Sequence, residues 1–481
     1  MDFNTLLFLG FFAGTAVVYY ALPKVLKPLF LLAASYCFYL YKPENARLVT
    51  LLISATVITW CSGLAIAASR KLWVRRLFLC IAALTCGGIL FFYKYFNFFN
   101  SVLWGERATL LDLSAPLGLS YFTFQSLSYT LDIYQKKLRP EKNFLYYALF
   151  VSFFPCIFTG PIERAGHLLP QFHCPRRFSY QGVSGGAFRM LWGYVKKMVI
   201  ADNLDVFISA VYGSANQMDG PMLAAASLLF SLRLYMDFSG ACDIAIGGAR
   251  VLGYDLLENF NAPFAATTFA DLWRRWHMSL TGWFRDYIYF PLGGSRCAPA
   301  RHYANLLLVF VVSGLWHGAA WGYLLWGLSC GLVQLIGRFT LPARQRIARH
   351  NLLYRSSLFH LWWQRSIVYI LFSLCFIFFA CALYGADTAV VYGGLLTGWA
   401  DFFREPSLFA GTAAGLGLGG VTGLILLLLT PIILTVEGQG RVSDWIRRQN
   451  WALRWTLYYG LAAALLFFGA FGQSAFIYQQ Y

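Results

Sequence analysis

Charged side chains are scarce in this sequence: 12% of its 481 residues are Asp, Glu, Lys or Arg, against 59% hydrophobic. Soluble globular chains carry about twice that share of charge, so the scarcity excludes a surface that mostly faces water. Acids are scarcer than bases, 21 against 38 Lys and Arg, and the formal charge is +17. The bases are scattered between apolar runs and build no continuous basic face, which excludes nucleic-acid binding as the reason for the imbalance. The eleven cysteines form no CxxC pair and no metal-ligand spacing. Cys37, Cys80, Cys86, Cys375 and Cys381 lie inside apolar runs, where cysteine acts as a small hydrophobe, so neither a disulfide framework nor a zinc site is expected. HExxH is absent, as is a Walker-type phosphate loop, which removes zincin and P-loop chemistry. Asp2 stands where a secretory leader would be basic, and no A-x-A site follows, so the first apolar run reads as a span and not as a cleavable signal. Long polar linkers are missing too, and 1–481 reads as one continuous domain.

Apolar segments fill the space that charge leaves. They fall at 5–22, 28–41, 47–68, 76–96, 113–134, 144–162, 184–200, 221–236, 303–315, 319–337, 366–385, 411–435 and 455–472. A crossing needs about 20 residues, and Gly and Pro interrupt 113–134 and 150–162. Such breaks at membrane depth are tolerated only inside protein or beside water. The expectation is an all-α integral membrane protein of roughly ten to twelve crossings, by span length, with re-entrant and in-plane helices. Arg70, Lys71, Arg75 and Arg76 crowd one loop; Lys136, Lys137, Arg139 and Lys142 crowd another. By the positive-inside rule both face the cytoplasm, as does 437–455 with Arg441, Arg447, Arg448 and Arg454, and Met1 lies outside.

Three stretches place ionisable groups in apolar surroundings, at a cost of about 2.5–3.5 kcal/mol for an Asp, Arg or Lys at mid-bilayer. The first, Leu234-Tyr-Met-Asp-Phe-Ser-Gly-Ala-Cys-Asp243, ends an apolar run. Asp237 and Asp243 need partners there, and Ser239-Gly240 suggests a helix break; the plain alternative is a pair of structural acids acting as interhelical glue. The second, Asp271 to Gly294, would place Trp273, Trp276, His277, Leu280, Trp283, Phe284 and Tyr287 on one helical face, with Arg274, Arg275 and Asp286 elsewhere. That pattern suits an interfacial amphipathic helix, whose plain reading is an anchor with a packed histidine. The third, Ser313-Gly-Leu-Trp-His-Gly-Ala-Ala-Trp-Gly322, repeats glycine at 314, 318 and 322 beside His317. A glycine strip admits a neighbouring helix closely, and a buried imidazole is either a proton acceptor near neutral pH or a satisfied core residue. A metal held by His277, His317 and an Asp has no specific spacing behind it.

These stretches resemble the membrane-bound O-acyltransferase family, in RRWHMSLTGWFRDYIYFPLGGSR (274–296), SGLWHGAAWGYLLWGL (313–328), FFPCIFTGPIERAGHLLPQF (153–172) and YMDFSGACDIAIGGARVLGYDLLENFNAPF (235–264). FNTLLFLGFF at the start and FIYQQY at 476–481 echo the family's ends, so the likeness covers nearly the whole chain, with 235–328 as its specific core. The resemblance is strongest to the bacterial branch that holds the alginate O-acetylation membrane protein and the peptidoglycan O-acetyltransferase membrane component. Ala241-Cys242 departs from the branch's usual Tyr-Ser, and Leu272 from its usual Phe.

The resemblance implies helices around a central channel in a bacterial cytoplasmic membrane. It also implies transfer of an acyl group, here acetyl from acetyl-CoA, to a hydroxyl, with no bound cofactor and no metal. The family's essential histidine falls on His317 and its second polar position on His277. In that reading His317 is the general base and His277 orients the reacting carbonyl. Trp276, Trp283 and Trp316 shape a channel, Arg274, Arg275 and Arg285 meet donor phosphates, and Asp237, Asp243 and Asp286 give structural support. An extracytoplasmic esterase-like partner would carry acetyl to a cell-envelope polysaccharide. Two other classes stay open at this point: a transporter or flippase, and a non-catalytic subunit of a polysaccharide secretion complex.

Overall fold

A computed structural model describes residues 1–107, 110, 111, 113, 115–174, 177–350, 357–440 and 442–471. Arg441 and the 476–481 terminus therefore lie outside the described residues. Within them the protein is built from helices and turns, with no strand. Five helices are long and apolar enough to cross a membrane: Val49–Ala68, Leu72–Trp104, Gly220–Val251, Leu358–Tyr384 and Trp451–Phe468. A sixth is reached if Pro406–Leu418 and Thr422–Gly438, bent by 82°, count as one broken span. The protein is thus multi-pass, but ten to twelve crossings do not follow from these helices. Several apolar runs instead fold into short helices, such as Lys27–Leu40, Leu119–Tyr134 and Phe144–Ser152. At 1.5 Å per residue even the 16-residue Leu119–Tyr134 is about 24 Å long, short of a hydrocarbon core of about 30 Å.

The described residues divide into two compact units, one from Met1–Tyr194 with Ala241–Glu258, the other from Val195–Gly240 with the residues from Asn259 onward. The 235–328 block has residues in both units, and both histidines lie in the second. In the first unit the Gly and Pro breaks do interrupt helices. Gly118, at φ +82°, precedes the helix that starts at Leu119, and the chain is non-helical from 153 to 164. Buried Glu163 closes that turn by accepting from the Leu257 backbone N–H and facing His167 Nδ1 at 2.9 Å. Asp243 has its partner here: Arg189 donates Nε to it at 2.8 Å and its two terminal nitrogens to Glu258.

Ser239-Gly240 does not break its helix. Gly220–Val251 runs unbroken over 32 residues, and the acids on either side of Ser239-Gly240 are paired with cations from other segments. In the second unit, Asp237 and Asp202 both contact Lys197 Nζ, at 2.6 and 2.8 Å, with all three side chains at most 1% exposed.

The glycines at 314, 318 and 322 do not form one strip either. The helix Pro299–His317 ends among them and Trp321–Phe339 begins, so the repeat is folded over a hairpin. Its close approach comes from Gly314 and Gly327. A Cβ added at Gly314 would fall on the Tyr323 carbonyl, and one added at Gly327 on the Phe310 carbonyl. Backbone cannot yield as a side chain tip does, so Gly327→Val should push the hairpin apart at a cost of about 1–3 kcal/mol. A lower melting temperature of the detergent-purified variant checks this; an unchanged one would mean that the hairpin is not closely packed.

Candidate functional site

The stretch from 271 to 294 is not one amphipathic helix. It folds as Phe269–Arg275, a turn at Trp276-His277, Met278–Phe284 and a π-helical Arg285–Tyr289. His277 takes left-handed backbone, φ 44° and ψ 51°, a strain of roughly 1–3 kcal/mol for a residue with a Cβ. Buried Asn259 compensates it: its carbonyl accepts from Met278 N–H at 2.9 Å and its side-chain Oδ1 from Ser279 N–H at 3.2 Å. Asn261 N–H adds a bond to the Arg275 carbonyl at 3.0 Å. The turn swings the imidazole inward, where 3% of the residue is exposed. It lies over the Phe238 ring, centroids 4.6 Å apart and planes 30° apart. Burial pushes the His277 pKa down to about 3, which favours the neutral ring.

His317 is the last residue of the Pro299–His317 helix and is 4% exposed. Its ring sits among three aromatic side chains, each nearly edge-on: Trp326 at 4.9 Å, Trp316 at 5.0 Å and Phe379 at 5.5 Å. Trp316 also meets His277, at 6.0 Å. One indole therefore touches both histidines, which are 40 positions apart in sequence. Phe379 belongs to Ser357–Tyr384, which offers Phe372, Phe376 and Phe379 on one face at helical spacing. Phe376 links the two sides of the site, 5.1 Å from Trp326 and 6.2 Å from Trp276.

The other predicted residues fall in different surroundings. Trp276 is buried against Phe260 and Phe372, 5.1 and 5.0 Å away. Trp283 packs on Tyr287 and Phe284 of its own segment. Arg274 and Arg275 share Asp271, at 3.3 and 2.8 Å, and Arg274 is 74% exposed along its side chain. Arg285 pairs with its neighbour Asp286 at 2.9 Å. Asp237 stands next to Phe238 in sequence and ties the helix under His277 to Lys197. Lys196 continues the polar layer, pairing with Glu437 at 2.7 Å, and Tyr235 donates to the same carboxylate.

Phe238, Asn259, Trp326, Phe379 and Lys197 were not singled out by sequence. The 372, 376, 379 periodicity is visible in Ser357–Tyr384, but in a run this rich in aromatics it does not stand out. Gly182-Val-Ser-Gly-Gly186 has the letters of a G-x-S-x-G nucleophile elbow, yet it lies inside the helix Tyr180–Tyr194 and forms no strand-to-helix turn.

Comparison with known proteins agrees with the resemblance. The model of MBOAT, the membrane-bound O-acyltransferase family, matches residues 119–381, which contain both histidines and their aromatic neighbours. The peptidoglycan O-acetyltransferase of Helicobacter pylori is 34% identical over 360 residues, covering 69% of this chain and 67% of that protein. The probable alginate O-acetylase AlgI of Azotobacter vinelandii is 34% identical over 329 residues, covering 67% of this chain and 64% of that protein. A teichoic acid D-alanyltransferase of Bacillus subtilis is 29% identical over 228 residues, covering 45% of this chain and 57% of that protein. The chain thus spans about two thirds of the length of the first two.

Proposed function

Since the chain belongs to the membrane-bound O-acyltransferase family, we propose that it moves an acetyl group from acetyl-CoA to a hydroxyl, for O-acetylation of a cell-envelope polysaccharide. The observation that carries this reading is the single indole of Trp316 against both buried imidazoles, His277 and His317. Two relatives over 30% identical are named for O-acetylation of peptidoglycan and alginate.

A thioester is already activated, so two tasks remain: removing the proton of the attacking hydroxyl and stabilising the oxyanion that forms. His317 takes that proton as the hydroxyl oxygen bonds to the thioester carbon. The C–S bond then breaks, and the imidazolium returns its proton to the leaving thiolate, which leaves as free CoA. A positioned base contributes typically 10²–10⁴-fold. His277, neutral and held in a fixed turn, hydrogen-bonds the reacting carbonyl and sets its angle. Trp276, Trp283 and Trp316 shape the path of the acyl chain. Arg274 and Arg285, exposed beyond half of their side chains, meet the donor's phosphates together with Arg275. Acetyl passes onward through a partner on the extracytoplasmic side that carries the polysaccharide-binding surface.

Purified protein in detergent or nanodiscs, given labelled acetyl-CoA and a hydroxyl acceptor, should release free CoA in step with acetyl ester. Movement of label across a vesicle membrane with the thioester intact would establish a transporter in its place.

A further inference from the structure

Buried hydrogen-bond donors almost always have acceptors, because a donor left without one forfeits its hydration for nothing. Beside His317 this rule is broken twice. Trp326 is 1% exposed, and its Nε1–H has no acceptor among the described residues. Trp273 Nε1–H is buried and lacks one as well. The two indoles are neighbours, centroids 5.9 Å apart and planes at 68°, and the Trp326 ring lies edge-on to the His317 imidazole, at 4.9 Å.

Indole is a donor only, so neither group can satisfy the other. The rings packed on them are Phe269, Phe310, Phe372, Phe376 and Phe379, which carry no acceptor in their side chains, and the His317 imidazole, to which neither N–H is bonded. This corner of the site therefore holds two N–H groups to which no acceptor is bonded among the described residues. A ligand that completes it must bring an oxygen acceptor to within reach of the imidazole. A thioester carbonyl does so, and the oxyanion formed from it does so more strongly, since hydrogen bonds to charged acceptors are roughly twice as strong as neutral ones.

We propose that the Trp326 indole N–H, with Trp273 beside it, is the oxyanion-stabilising donor of this site, a catalytic residue for the acyl-transfer step. The inference rests on the acyltransferase reading with His317 as base. When the hydroxyl oxygen attacks, the carbonyl π electrons move onto oxygen and the Trp326 N–H donates to it. When C–S breaks they return, the carbonyl re-forms in the ester and the donor is released. A dry aromatic surround strengthens a preorganised donor, because no water competes for the oxyanion.

Two replacements at one position test this in single-turnover assays with acetyl-CoA. Trp326→Phe keeps an aromatic ring and removes the N–H. The benzothiophene analogue of tryptophan at 326 keeps the shape as well and puts sulfur in place of N–H. Both should lower the rate of ester formation by about 10²–10³, the range for losing one oxyanion donor, with KM for acetyl-CoA within about twofold. The benzothiophene protein should melt at the wild-type temperature or above, since the donor it loses had no partner in the resting protein. A benzothiophene protein that transfers acetyl at the wild-type rate overturns the inference, even if Trp326→Phe is slow or unstable, because packing alone would then explain the position. His317→Ala in the same assay separates the layers. An inactive His317→Ala beside a fully active benzothiophene protein removes only the Trp326 role, whereas an active His317→Ala removes the base on which it was built.

Discussion

His317→Ala should leave acetyl transfer at least about 10²–10⁴-fold below wild type, the range for losing a positioned general base, while the protein still folds and purifies. Deprotonating the attacking hydroxyl needs a proton acceptor within reach. His317 lies in an aromatic surround of Trp316, Trp326 and Phe379, and none of these side chains can accept a proton from a hydroxyl. His277 does not take over, because burial holds its pKa near 3 and makes it a poor base, and because Trp316 lies against both rings. His317→Gln sharpens the test. Glutamine keeps polar atoms and most of the volume, so stability changes little, but it cannot relay a proton, and the rate should fall as it does in His317→Ala. CoA release and ester formation, followed beside the melting temperature of each variant, check both. A glutamine variant with wild-type turnover would show that position 317 holds structure and performs no chemistry.

The largest effect on stability should come from Lys197→Met. Lys197 is fully buried between Asp202 and Asp237, and removing one partner of a buried charged pair typically costs about 3–5 kcal/mol because the remaining charge is left uncompensated. Here one substitution takes the shared ammonium from two carboxylates and leaves Arg233 as the nearby cation for both. The measurement is the midpoint of thermal aggregation in detergent, which should drop sharply, with low yield of monodisperse protein. Asp237→Asn should cost less, since Lys197 keeps Asp202. The consequence reaches the site, because Phe238, next to Asp237 on the same helix, is the ring under His277. Any Lys197→Met protein that is recovered should therefore show slowed transfer as well. Melting indistinguishable from wild type would mean that water or mobile neighbours already compensate the two acids.

The two effects differ in kind, and the difference follows from how the site is assembled. His317 is placed by a helix end and enclosed by aromatic rings, so its removal subtracts chemistry and little structure. Lys197 carries no proposed chemistry, but it joins the π-helical Val195–Ala201 to the long Gly220–Val251 helix through its Asp237 contact. Asn259 has a similar supporting role on the other side of His277, where its carbonyl and side chain hold the left-handed turn. The two imidazoles thus depend on a polar framework to which no chemistry is assigned.

Some of this was readable from the chain alone. Apolar runs with little charge can be satisfied only by helices in lipid, because each helix pairs its own backbone groups locally; class and multi-pass character are properties of composition. The two histidines stand out as candidates in the sequence because they lie in apolar, Trp- and Gly-rich strings, and the structure sets both against Trp316. What the chain could not reveal were outcomes of competition between distant groups. Ser239-Gly240 suggested a break by local reasoning, yet the helix stays whole, and the partners that Asp237 and Asp243 needed are Lys197 and Arg189, far away in sequence. The 271–294 periodicity suggested one helix, yet Asn259 captures the backbone at Met278 and Ser279 and turns His277 inward. Hydrophobic patterning is summed over neighbours and survives in the sequence; a hydrogen bond or ion pair is decided by whichever remote partner the fold delivers, and only the tertiary structure does that.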